Sequence, residues 1–104
     1  MDLVMDIYKL SEILPKEEKF GLRSQITRAV ISIPSNIAER SSRSSQKDFN
    51  RFLEVSLGSA FELETQLLII QKLELNKNNQ INDILNSLHE EQKMINGFIN
   101  RLKN

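Results

Sequence analysis

Cysteine and tryptophan are absent from this 104-residue chain, and glycine occurs only three times and proline twice. Without cysteine there is no disulfide staple and no thiolate metal site. So few breakers mean few turns, and the alternating Val/Thr/Tyr runs of strands are missing as well. No apolar run approaches the ~18 residues of a membrane span, so no membrane association is expected. The start, Met1 to Asp6, is acidic and lacks a signal-peptide pattern, which points to a cytoplasmic protein. Net charge is also absent: Lys plus Arg and Asp plus Glu stand at 14 each, which argues against a bulk nucleic-acid coat.

What is present is Leu, Ile, Glu, Lys, Ser and Asn in helical patterns. The length suits one domain, residues 1–104, burying roughly 65% of the surface its unfolded form exposes. Charge is unevenly spread, net −2 over residues 1–15, +4 over 16–51 and −2 over 52–104. The basic middle third leaves room for a local patch.

Four helical stripes follow in order. Leu3, Ile7, Leu10 and Leu14 form the first, widened by Met5 and Tyr8, with a stop before Pro15. Pro15 suits the first turn of a second helix near 17–40, whose apolar face is Phe20, Leu22, Ile26, Ala29, Val30, Ile33 and Ile37. Pro34 falls inside that pattern and cannot donate to the Val30 carbonyl. Ile33 and Ile37 nonetheless keep the helical phase, so a kink is expected there and not a stop. Ser32, Ser35 or Asn36 is expected to satisfy a freed backbone group.

The serine-rich segment Arg40 to Ser45 reads as a loop. The third helix, near 45–74, carries a heptad seam of Phe49, Leu53, Ser56, Ala60, Leu63, Leu67 and Ile70. A second line holds Phe52, Val55, Ser59, Glu62, Gln66, Ile69 and Leu73. Gly58 costs about 1 kcal/mol against Ala in a helix interior, a cost that close helix approach would offset. After the polar turn Asn76 to Asn79, a fourth helix near 80–102 places Ile81, Leu85, Leu88, Ile95, Phe98 and Leu102 on one stripe. The expected fold is therefore all-α, an antiparallel up-down four-helix bundle.

Two segments, Gln25 to Glu39 (QITRAVISIPSNIAE) and Phe49 to Leu67 (FNRFLEVSLGSAFELETQL), together closely resemble the bacterial four-helix-bundle family known as 23S rRNA intervening-sequence proteins. The resemblance runs from about Val4 to Leu102. It implies a ring-like homopentamer of up-down bundles, encoded within insertions in 23S ribosomal RNA genes, and it implies no activity. A similar fold occurs in the accessory protein of diversity-generating retroelements, which resembles a basic pentameric barrel binding nucleic acid and a reverse transcriptase. Arg40 departs from the pattern, since the family usually has glycine there, and a left-handed cap becomes less favourable. The family also usually has several more residues before Leu3.

The candidate site residues divide into three groups. Arg43, Lys47 and Arg51 recur every four residues along one helical face, with Arg40 close by, and serines 41, 42, 44 and 45 can add hydroxyl contacts to phosphate. Ser59, Glu62 and Gln66 lie on the second line of the third helix, where a polar stripe among apolar residues suits a subunit interface. Glu62 reads as a partly buried acid whose expected partner is an Arg of the second helix, such as Arg28, or a neighbouring subunit. Asn36 and Glu39 follow Pro34 in structural roles, Asn36 on freed backbone and Glu39 in a local pair. The third group is chemical and it is empty. His89 lacks a matched nucleophile or carboxylate motif. Glu62 and Glu64 point about 200° apart on one helix, and no di-iron Glu-x-x-His pair exists. No catalytic residue, metal site, cofactor or small-molecule substrate is expected. The expectation is a non-catalytic oligomeric module binding RNA, DNA or a nucleic-acid enzyme through a basic rim. The alternative is a purely structural or protein–protein assembly.

Overall fold

A computed structural model describes residues 2–18, 21–40, 46–75 and 80–103. Four α-helices follow one another: α1 Asp2–Ile13, α2 Leu22–Arg40, α3 Gln46–Lys72 and α4 Gln80–Lys103. No strand occurs among the described residues. Each helix packs on its sequence neighbour, and α1 closes the square against α4. That is the up-down four-helix bundle, elongated at 43 × 23 × 19 Å.

The core stripes follow the sequence pattern. Leu3, Ile7, Leu10 and Leu14 of the first segment are buried, as are Ile26, Ala29, Val30 and Ile33 of α2. On α3 the seam Leu53, Ser56, Ala60, Leu63, Leu67, Ile70 is nearly inaccessible along its length. Burial of each Leu or Ile contributes roughly 1.5–3 kcal/mol, so these stripes dominate the stability of the bundle.

Several details differ from the pattern. Met5 and Tyr8 do not widen the α1 stripe: both are exposed, and Ser11 is buried in their stead, its Oγ donating to the Tyr8 carbonyl at 2.7 Å. The second helix does not start at 17. Lys16–Glu18 form a single 3₁₀ turn, and the first backbone bond of α2 runs from Gln25 N to Gly21 O at 3.0 Å, which puts Gly21 at the cap, a position glycine tolerates. On α4, Ile84 and Ile99 join the core, whereas Phe98 is exposed. Phe98 sits 100° around the helix from Ile99, and the Arg101 guanidinium lies 4.7 Å from its ring centroid. Gly58 is exposed, and no atom of another element lies within 4 Å of where a methyl group would stand on it, so no close helix approach offsets its cost. Phe20, Ser45 at the expected start of the third helix and the turn 76–79 lie outside the described residues, as do the side chains of Phe49 and Leu102.

Pro34 sits inside α2, and the helix runs through it to Arg40. Asn36 Nδ2 donates to the Ser32 carbonyl at 2.7 Å and to Ser32 Oγ at 3.0 Å. Ser56 Oγ, wholly buried on α3, donates to the Ile33 carbonyl at 2.9 Å. Asn36 thus does bond backbone beside the proline, at the Ser32 carbonyl and not at that of Val30. At the far end, α3 closes in a Schellman motif. Leu75 N reaches Ile70 O and Glu74 N reaches Gln71 O, both at 3.1 Å, with Glu74 at φ 57°.

Candidate nucleic-acid interface and the groove beside it

The antiparallel register decides which polar residues meet. Along α3 and α4, Gln71 Nε2 donates to Asn82 Oδ1 at 2.8 Å, His89 Nε2 lies 3.5 Å from Glu64 Oε2, and Gln92 Nε2 reaches Ala60 O at 3.5 Å. Each step back along α3 is matched by a step forward along α4. The same holds for α2 and α3, where Ser32 meets Ser59 and the Ile33 carbonyl meets Ser56. The end of α2, the start of α3 and the end of α4 therefore share one end of the bundle.

That end holds the candidate basic residues, with Glu39, Asp48 and Glu54 interspersed among them in sequence. Arg40 is the last residue of α2 and Lys47 the second of α3, with their side chains outside the described set. Arg43 and serines 41, 42, 44 and 45 lie outside the described residues altogether. Arg51 is exposed on α3. Sequence spacing misses Arg101, exposed on the last turn of α4, its Nε donating to the Gly97 carbonyl at 3.4 Å. Fifty residues separate Arg51 from Arg101, so only the helix register brings them to one end.

The expected interface residues fall along the α2-facing side of α3. Ser59 is half-buried, with its Oγ 2.7 Å from Ser32 Oγ. Glu62 is exposed and accepts from Gln66 Nε2 at 3.2 Å. Arg28 is not its partner, since no ion pair joins them among the described residues. Gln66 is buried, and its Oε1 has no hydrogen-bond partner among the described residues, as is also true of Asn50 Oδ1. Around these residues Val55, Ile69 and Leu73 are 46%, 42% and 59% exposed.

The carboxylate that faces His89 is not one of its sequence neighbours Glu90 and Glu91 but Glu64, on α3. Glu64 accepts from Gln92 Nε2 at 2.8 Å through one oxygen and faces His89 through the other. These residues border a groove of ≈ 470 Å³ between α3 and α4, lined by Leu57, Phe61, His89, Gln92, Lys93 and Asn96. No serine, threonine or cysteine is among these lining residues. A smaller cavity of ≈ 110 Å³ lies among α1, α2 and α4 beside Pro34. Among the described residues, no group of three or more His, Asp or Glu side chains is placed to hold a metal ion. No helix is long and apolar enough to cross a membrane, among the described residues.

The comparisons with known proteins agree with the architecture. A search of curated proteins found no match. A crystal structure of a protein of unknown function, from the S23 ribosomal protein family of Bacteroides thetaiotaomicron, superposes with a TM-score of 0.86 at 30% identity, covering 94% of this chain and 92% of that one. Residues 1–97 match the family described as 23S rRNA-intervening sequence protein. With the four-helix architecture and both sequence segments in agreement, the chain belongs to the 23S rRNA-intervening sequence protein family.

Proposed function

We propose that the protein is a non-catalytic, self-associating helical module that binds RNA or DNA, or a nucleic-acid enzyme, through its basic end. The supporting observation is the register that gathers Arg51 and Arg101 at the end of the bundle where α2 leaves off and α3 begins. Arg40, Arg43 and Lys47 belong to the same connection in sequence. A few cations per chain bind a polyanion weakly. Repetition around a symmetric assembly lets several phosphates be contacted at once. Self-association is supported by Val55, Ile69 and Leu73, apolar side chains left in water beside the buried orphan Gln66 Oε1. A pentamer is the count that the family resemblance favours.

The test is a binding titration of structured RNA and duplex DNA at two salt concentrations, run beside light scattering. The expected result is an oligomer with sequence-tolerant binding that weakens steeply with salt, because each neutralised phosphate releases condensed counterion. An oligomer that binds neither polymer at low salt would favour the second reading, a purely structural or protein–protein assembly. The exposed apolar stripe of α3 supports that reading equally well.

A further inference from the structure

The groove between α3 and α4 combines an apolar wall with uncommitted hydrogen-bonding edges. Phe61 is 52% exposed beside Leu57, so a large part of an aromatic ring faces solvent. Gln92 is held in place through its Nε2, which bonds Glu64 Oε1 at 2.8 Å, leaving its Oε1 as an acceptor. Asn96 lines the same groove and forms no hydrogen bond among the described residues. His89 directs Nε2 to Glu64, which leaves Nδ1 available. A ring to stack on, one amide acceptor and a second amide able to donate and accept suit a planar heterocycle with a mixed edge.

We propose that this groove takes one base of a single-stranded nucleic acid, stacked on Phe61, with its edge on Asn96 and Gln92 Oε1. The proposal rests on the nucleic-acid reading above and assigns the base contact that the basic end lacks. Phosphate is the poorer occupant here. Lys93 lies 3.7 Å from Glu90, and Glu64 stands behind the lining residues His89 and Gln92, so carboxylates offset the positive charge of the groove. Arg51 stands ten residues before Phe61 on the same helix, about 15 Å along its axis. A strand held by its phosphates at the basic end is within reach of the groove.

The experiment compares a short fluorescent single-stranded RNA with an abasic strand of the same length and charge, by anisotropy at low salt. The parent protein should bind the base-containing strand about tenfold more tightly, the effect of one base–aromatic stack. Phe61→Ala should abolish that preference without weakening the abasic strand, and Phe61→Tyr should keep it. Circular dichroism of both variants checks that the bundle is intact. Equal, salt-sensitive binding of both strands by the parent overturns the groove proposal and leaves the basic end standing. Equal weakening of both strands by Phe61→Ala also overturns it. No binding of either strand overturns the groove proposal, and the titration with structured RNA and duplex DNA then decides the nucleic-acid reading separately.

Discussion

Ser32 and Ser59 meet hydroxyl to hydroxyl at 2.7 Å across the α2–α3 seam, with Asn36 Nδ2 holding Ser32 Oγ at 3.0 Å from the same helix. Ser56 adds a buried bond to the Ile33 carbonyl. Sliding α2 along α3 by one turn would break both interhelical contacts, so this polar strip fixes register where apolar packing alone is permissive. A double-mutant cycle on Ser32→Ala and Ser59→Ala should give a coupling of about 0.5–1.5 kcal/mol in urea unfolding. Strict additivity of the two substitutions would remove the contact from the energetics.

The core prediction is larger. Leu67 is fully buried on the α3 seam, so Leu67→Ala should lower the unfolding free energy by about 2–5 kcal/mol through lost transfer energy and a residual cavity. A urea midpoint within error of the parent's would contradict this placement of the seam.

The stripes are legible in the sequence because helical periodicity is local. Leu3, Ile7, Leu10 and Leu14, or Leu53 through Ile70, are fixed by one helix's own geometry. Pro34 is readable for the same reason: Ile33 and Ile37 keep phase across it. What sequence does not reveal is pairwise. Glu64 beside His89, and Arg101 beside the basic connection, depend on how two antiparallel helices are registered, which no single helix encodes. Phe98 is misplaced by periodicity because a four-three count gives it the same standing as Ile99; which of them turns inward depends on the helices beside α4. Gly58 reads as a close-approach residue because Ser56, Ser59 and Ala60 surround it, yet those neighbours turn towards other helices and leave Gly58 facing outward.

The C-terminal cap of α3 offers a stabilising change. Glu74 occupies the left-handed position of the Schellman motif at φ 57°, where a side chain costs roughly 1–2 kcal/mol and glycine has no such steric cost. Glu74→Gly should raise the unfolding free energy by about 0.5–1 kcal/mol, allowing for glycine's greater freedom when unfolded. Thermal unfolding of the two proteins checks it, and a lower midpoint for the glycine variant would count against the cap.

The proposed self-association predicts a variant that is soluble and folded but monomeric. Val55 and Ile69 are more than 40% exposed in the single chain, so replacing both by Lys should leave the bundle's own core untouched. If they line a subunit interface, the buried ammonium groups are strongly unfavourable there. Light scattering should then report a monomer with unchanged helicity by circular dichroism. A variant that assembles as the parent does would move the interface elsewhere on the molecule.

The basic end makes the last prediction, and salt dependence is its signature. Replacing Arg43, Lys47 and Arg51 by Ala removes three cations from sequence positions off the α3 core seam. Helicity and oligomeric state should therefore be unchanged. Each lost phosphate contact should reduce the slope of log affinity against log salt by about 1, multiplied by the number of subunits that engage the strand together. Arg101→Ala, on a different helix at the same end, should act in the same direction, with a smaller effect because one cation is removed and not three. It separates a shared basic surface from a contact made by the α2–α3 connection alone. If the triple variant loses affinity but Arg101→Ala does not change the slope, the interface is confined to the connection and the start of α3. If neither variant changes the slope, the charges at this end are a solvated surface, and the exposed apolar stripe of α3 becomes the part of the molecule that explains its role.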